Sequence, residues 1–342
     1  MNNTVKTVSI CVVALNEKEY LPRLLQDIKN QTYNHSLIEI IFVDSGSTDN
    51  TKEIMKNFKA EDNGFYNILI LDNPEKILPC GCNIALKNYT GDAIVRIDAH
   101  ANIPSDFIEK NVALLNSGEM VCGGARPNVI DGTTPFKETL LIAEQSMFGS
   151  SIASYRHSNK TSYVSSIFHG MYRREVYDAV GFYDERLGRT EDNDMSYRIR
   201  EKGFKIAYNP SIISYQHTRS SLKKMLKQKY GNGYWIGKTM GINPKCFSLF
   251  HFVPFLFVLG IIFTSLLAGF GLPLLSVLMW GAYLLFILAT SILEIVKNPF
   301  SITNFALPVI FFLLHASYGI GTLIGLIKMP FWVKKIKTYE VK

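Results

Sequence analysis

Two absences organise this 342-residue sequence. Between Leu249 and Leu293 there is no Asp, Glu, Lys or Arg and a single histidine, His251, and after Glu294 and Lys297 a second apolar stretch runs from Ile302 to Ile327. So long an uncharged run excludes an ordinary soluble C-terminal domain. A spanning helix needs about 20 apolar residues, so the first stretch holds two, broken near Gly269 to Pro273, and the second holds one. The second absence is glycine where a dinucleotide-binding turn requires it. The apolar run Val8 to Leu15 passes into Asn16-Glu17-Lys18-Glu19 with no G-x-G-x-x-G, which disfavours a Rossmann dehydrogenase. Gly231-Asn232-Gly233-Tyr234-Trp235-Ile236-Gly237-Lys238-Thr239 is not a phosphate-binding P-loop either, because neither Gly231 nor Gly233 stands four residues before Gly-Lys-Thr. Cysteines are few: Cys11, Cys80, Cys82, Cys122 and Cys246, odd in number and scattered. That count suits a reducing compartment, and Cys80-Gly81-Cys82 lacks the second pair that structural zinc needs. No small-residue cleavage site follows Val8 to Leu15, so that run reads as a buried strand, not a secretion signal.

The formal net charge is +7. Its basic residues gather beside the apolar segments, at Lys223, Lys224, Lys227, Lys229 and Lys238 and again at Lys328, Lys334, Lys335 and Lys337, which points to anionic lipid headgroups and not to nucleic acid. The C-terminal lysines predict a cytoplasmic C-terminus by the positive-inside rule, and an N-terminal domain without a signal peptide is also expected in the cytoplasm. Two cytoplasmic termini require an even number of crossings. One apolar stretch is therefore expected to be re-entrant or interfacial, and Gly319, Gly321 and Gly325 direct that expectation to the last.

The N-terminal two thirds alternate strand and helix. Val8 to Leu15 leads into Leu21, Leu24, Leu25 and Ile28 at helical spacing; Ile38 to Val43 ends at Asp44-Ser45-Gly46-Ser47-Thr48-Asp49, where Ser47, Thr48 or Asp49 can cap the next helix. A third strand is expected at Tyr66 to Leu71, a helix around Cys82 to Asn88, then a strand through Ile94-Val95-Arg96-Ile97. This succession predicts an α/β fold with a mostly parallel central sheet.

At the end of that last strand stand Asp98 and His100. Ligands collect beyond the carboxyl ends of strands in open α/β sheets, so D-x-H at a strand tip reads as a candidate divalent-cation site, although a turn-forming Asp and a surface His would look the same. Carboxylate oxygen suits Mg²⁺ or Mn²⁺, and an imidazole tilts the choice toward Mn²⁺. Glu191, Asp192 and Asp194 precede Met195, Arg198 and Ile199 at helical spacing. Acids there are favoured by the helix N-terminus, and a carboxylate so placed can also serve as a general base.

Taken in order, Val12 to Glu17, Val43 to Asp49, Arg96-Ile97-Asp98-Ala99-His100 and Thr190-Glu191-Asp192-Asn193-Asp194 resemble the motifs of glycosyltransferase family 2, over most of residues 5–240. With the R-x-D-A-H form and C-terminal membrane helices, the chain looks most like the succinoglycan-biosynthesis subgroup of bacterial exopolysaccharide glycosyltransferases. The resemblance implies a GT-A fold, an inverting mechanism, a UDP-sugar donor and a divalent cation, Mn²⁺ or Mg²⁺. It implies that Asn16, Glu17 and Asp44 hold the nucleoside, that Asn83 and Arg96 lie near the ribose or diphosphate, and that Asp98 and His100 meet the metal. His100 stands where the family has a second acid, and either ligates the cation or reaches the diphosphate through water. Asp192 is the implied base with Glu191 as the fallback; His169, Gly170 and Trp235 fall where an acceptor would bind, with a buried histidine and an interfacial tryptophan as the alternatives. Gln228 does not open a Q-x-x-R-W motif, since Gly231 and Asn232 occupy its last two positions, so single addition is favoured over processive synthesis.

The expected organisation is a cytoplasmic GT-A domain at 1–240, a membrane region at 241–330 with helices at 249–269, 272–293 and 302–327, and a basic cytoplasmic tail at 331–342. The expected reaction is hexose transfer to a lipid-linked saccharide in exopolysaccharide or capsule synthesis at the cell membrane, among other polysaccharide-assembly enzymes. Direct transfer to polyprenyl phosphate and a non-catalytic sugar-nucleotide-binding protein are the competing readings.

Overall fold

The computed structural model describes residues 4–149 and 159–340, side chains of 337–340 excepted, so the side chain of Lys337 and residues 341–342 of the tail lie outside the described residues. In chain order the strands and helices are β1 (Val8–Ala14), α1 (Leu21–Lys29), β2 (Ile38–Asp44), α2 (Thr51–Ala60), β3 (Asn67–Asp72), α3 (Leu78–Asn88), β4 (Ala93–Arg96), β5 (Ala101–Asn102), α4 (Phe107–Asn116), β6 (Val121–Ala125), β7 (Asn128–Val129), α5 (Pro135–Gln145), β8 (Ser162–Val164), β9 (Met171–Arg173), α6 (Arg174–Val180), α7 (Glu191–Glu201), β10 (Ile206–Ile213), β11 (Tyr215–His217), α8 (Leu222–Thr239), α9 (Val253–Gly269), α10 (Leu274–Lys297) and α11 (Leu307–Glu340). They form two compact units, one of residues 4–127 and 159–216, the other of 128–149 and 217–340.

The first unit is built on an eight-stranded sheet of order β3-β2-β1-β4-β9-β6-β10-β8. β1 pairs in parallel with β2 and β4, β2 with β3, and β6 with β10, while β9 runs antiparallel between β4 and β6. Helices cover both faces of the first strands, which is why β2 is buried at all seven positions and reads as a continuous apolar run instead of an alternating one. α1 adds Leu21, Leu24, Leu25 and Ile28 to the same core. From β1 the chain steps outward to β2 and β3 and returns to the far side of β1 as β4. That reversal opens a crevice at the carboxyl ends of β1 and β4. α3 begins at Leu78, four residues before the expected helix, because Pro79 falls in its first turn, where a missing N–H costs nothing.

The second unit holds three helices long and apolar enough to cross a membrane, at Leu249–Gly269, Leu274–Lys297 and Ile302–Ile336. α8, expected within residues 1–240, packs in this unit along α11, and its glycines explain the contact. A Cβ on Gly233 would lie 2.1 Å from the Tyr318 carbonyl oxygen, and one on Gly325 would lie 2.2 Å from that of Tyr234. Two small-xxx-small pairs, Gly233/Gly237 and Gly321/Gly325, thus bring the two backbones together. α11 runs unbroken through Gly319, Gly321 and Gly325. Those glycines serve close packing, Gly319 against the Pro254 carbonyl of α9, and do not interrupt the helix as a re-entrant segment would require.

Candidate active site

The candidate residues of the first unit gather where β1, β2 and β4 end. Asn16 takes the left-handed conformation (φ 56°) and its side-chain oxygen accepts the Thr48 backbone N–H at 2.8 Å, tying the loop after β1 to the loop after β2. In that second loop Asp44, 3 % exposed, accepts the Ser47 N–H at 3.3 Å. Asp49, and not Ser47 or Thr48, receives the Thr51 N–H at the start of α2, at 2.9 Å. The Lys76 side chain crosses Gly46, whose absent Cβ would lie 2.9 Å from Lys76 Cε. Lys76 is exposed and left-handed (φ 58°), a cation over the Asp44 loop that local sequence pattern did not single out.

Beyond β4, the Ile97 N–H still donates to the Cys11 carbonyl at 2.9 Å, and the strand then turns at Asp98, whose carbonyl accepts the Ala101 N–H at 2.9 Å. His169 fixes this turn: its Nε2 accepts the Asp98 backbone N–H at 3.1 Å and lies 3.9 Å from the carboxylate. Burial, aided by Arg96 and Arg126, outweighs Asp98 and lowers the His169 pKa, so the ring is neutral and its proton sits on Nδ1. That atom is buried without a hydrogen-bond partner among the described residues. Burial alone would raise Asp98, yet the positive charge beside it, the Arg96 guanidinium above all, holds its carboxyl well below the usual range. The missing Cβ of Gly170 makes room for Ile167, 2.5 Å from where it would stand, and for Tyr172.

Arg96 connects this turn to α7. Its guanidinium lies 3.6 Å from Asp98 Oδ1 and 3.2 Å from Glu191 Oε1. Glu191 is 3 % exposed and its other oxygen has no hydrogen-bond partner among the described residues. Burial and the neighbouring Asp192 push its pKa up to about 7 against the pull of Arg96. Asp192 itself is exposed and lines a small cavity with Arg96, Phe168, His169, Gly170 and Tyr172. Asn83, expected near the ribose or diphosphate, is 3 % exposed and spent on a clamp: it donates to the Tyr183 carbonyl at 2.9 Å and accepts the Tyr183 N–H at 2.9 Å. It fixes the segment leading into α7.

The residues present fit a divalent cation only in part. Among the described residues no three His, Cys, Asp or Glu side chains converge into a cage. Asp98 and His100 share one turn, and Glu17 Oε1 orients the His100 ring through Nδ1 at 3.1 Å, as a carboxylate orients a ligating imidazole. One carboxylate and one imidazole, completed by substrate phosphate oxygens, is the kind of sparse site that Mg²⁺ or Mn²⁺ accepts. Trp235 lies in the second unit, edge to face with Trp332 at 6.0 Å.

Four acidic or amide-bearing loops at the carboxyl end of a 3-2-1-4 sheet narrow the family, and comparison decides it. The family model described as Glycosyl transferase family 2 matches residues 9–181, about half of the chain. The chain belongs to this family. Among curated relatives of this glycosyltransferase, a dolichyl N-acetyl-alpha-D-glucosaminyl phosphate 3-beta-D-2,3-diacetamido-2,3-dideoxy-beta-D-glucuronosyltransferase of Methanococcus voltae is 27% identical over 333 residues, covering 94% of this chain and 97% of that protein. Succinoglycan biosynthesis protein ExoA of Rhizobium meliloti is 27% identical over 228 residues, covering 66% of this chain and 67% of that protein. The structure of a mannosyltransferase from Pyrobaculum calidifontis in complex with GDP-Man and Mn²⁺ superposes with a TM-score of 0.56 at 15% identity, over 94% of this chain and 86% of that one. The fold of the glycosyltransferase is therefore GT-A-like, α/β with a mostly parallel central sheet.

Proposed function

We propose that this glycosyltransferase moves a hexose, with inversion, from a UDP-sugar to a lipid-linked saccharide on the cytoplasmic face of the cell membrane. The observation that carries the reading is Arg96, which joins Asp98, the candidate diphosphate and metal contact, to Glu191, the immediate neighbour of the exposed Asp192. One guanidinium thereby keeps the leaving-group end and the proton-accepting end of a reaction in fixed relation. Asp192 removes the proton from the acceptor hydroxyl as that oxygen attacks the anomeric carbon. Asp44 and Asn16 order the loops that receive the nucleoside. Asp98 and His100 would hold the cation, which when bound neutralises charge on the departing diphosphate. The names of the relatives, one extending a dolichyl-phosphate sugar and one making succinoglycan, support a lipid-linked acceptor.

Both termini in the cytoplasm and three apolar helices are reconciled if α9 and α10 cross as a hairpin and the C-terminal half of α11 lies at the interface. The lysine-bearing α8 supports this, since it touches α11 backbone to backbone around residues 318–325 and cannot enter hydrocarbon. The reaction is tested by offering a panel of UDP-sugars to the full chain with a membrane lipid extract, with and without Mn²⁺, and reading sugar incorporation into lipid by mass spectrometry. Incorporation that needs the cation is expected; none under any condition overturns the reading.

A further inference from the structure

Two buried lysines on α8 differ in one respect. Lys229 and Lys238 are each 8 % exposed. Lys229 donates to Glu144 at 2.7 Å, whereas Lys238 has no carboxylate partner among the described residues. Its ammonium is surrounded instead by ring faces, 4.2 Å from the centre of Trp332, 4.5 Å from Trp235 and 5.4 Å from Tyr234. A second ammonium, on the exposed Lys328, approaches the same tyrosine at 5.9 Å, again with no carboxylate partner among the described residues. Withdrawing an ammonium from water is costly, and cation–π contacts return only part of that cost. Burial and the nearby Lys328 together depress the Lys238 pKa, the opposite of what an anion would do. The arrangement is electrostatically incomplete.

We propose that Lys238 and Lys328, walled by Tyr234, Trp235 and Trp332, bind the phosphate of a lipid headgroup at the membrane surface. Indole rings are at home at headgroup depth, and two ammonium groups meet the charge of a phosphate or diphosphate with strong, charge-assisted hydrogen bonds. That the lipid is the diphosphate carrier of the acceptor rests on the transferase reading above; the phosphate site itself does not.

Because Trp235 and Trp332 form its walls, the site reports its own occupancy. The full chain in phosphatidylcholine nanodiscs is titrated with farnesyl diphosphate, dioleoyl phosphatidic acid or inorganic pyrophosphate while tryptophan emission is followed. A saturable change is expected, weakened about tenfold or more in Lys238→Met and in Lys328→Met and retained in Lys238→Arg. Saturation by farnesyl diphosphate identifies the carrier as the source, by phosphatidic acid alone the bulk phospholipid, and by pyrophosphate equally well a soluble phosphate. No response to any probe, or equal binding by wild type and the Lys238→Met/Lys328→Met double variant, overturns the proposal. If Lys238→Met does not fold, the exposed Lys328→Met carries the test. Donor turnover is not read here, so a chain that consumes a UDP-sugar but binds none of the probes loses this site and keeps the transferase reading.

Discussion

Glu39 and Glu191 are both buried carboxylates in the same unit, at opposite ends of its sheet. At the amino end, Glu39 of β2 is 2 % exposed and accepts from the Ser9 hydroxyl at 2.6 Å, the Thr90 N–H at 2.8 Å, the Thr90 hydroxyl at 3.1 Å and the Asn67 amide at 3.3 Å. Both oxygens are satisfied, and the network holds four segments of chain together. At the carboxyl end Glu191 has one oxygen on Arg96 and one without a partner among the described residues, with a pKa of about 7. A fully bonded buried acid is scaffold; a half-bonded one is poised to change protonation. The same residue type is spent on stability at one end and kept available at the other.

The contrast can be broken in graded steps. The largest effect is expected of Asp192→Asn, which removes the proposed base beside Glu191 and lowers the transfer rate by about 10² to 10⁴ with the fold intact. Steady-state rates alongside thermal melting check this, and activity that survives would favour direct transfer to polyprenyl phosphate. Glu17→Ala removes the Glu17 contact to the His100 ring and weakens Mn²⁺ activation by about 10- to 100-fold if His100 is a ligand. An unchanged Mn²⁺ titration would remove His100 from the metal site. Glu39→Ala leaves the Ser9, Asn67 and Thr90 donors unpaired, at a cost of about 1–3 kcal/mol each before water enters. It should appear as a lowered denaturation midpoint, with the activity of the folded fraction preserved. The smallest effect is a pH dependence. Because the folded pKa of Glu191 is about 7 against an ordinary 4.5, the folded state binds the extra proton, so wild-type stability falls as pH rises from about 4.5 through about 7. Glu191→Gln lacks that titration, and its melting temperature relative to wild type should climb across the same window; parallel curves would refute the assignment.

Much of this site was legible because strand tips announce themselves. Asp44 and Asp98 follow apolar runs that end abruptly, and Glu191 and Asp192 precede a helical period. The partners of these acids were not legible. Arg96 meets Glu191 across 95 positions, and His169 reaches the Asp98 N–H across 71. Both contacts exist because β9 inserts antiparallel between β4 and β6, and nothing in the local spacing of Met171–Arg173 reports which strands will flank it. The clamp of Asn83 on Tyr183 was not legible either, because it spans 100 residues. The glycines of α11 were legible as glycines, but their reason, the backbone of α8, lies about 90 residues upstream.

That last pairing also sets an order of events. α8 leaves the ribosome long before α11, so Gly233 and Gly237 present a bare strip of main chain while α9 and α10 are still being made. α11 closes it, and any side chain on the strip would strike a carbonyl oxygen of that helix. The last described segment to be synthesised is thus the one that completes the second unit. Until it arrives, the glycine face of α8 waits without its partner.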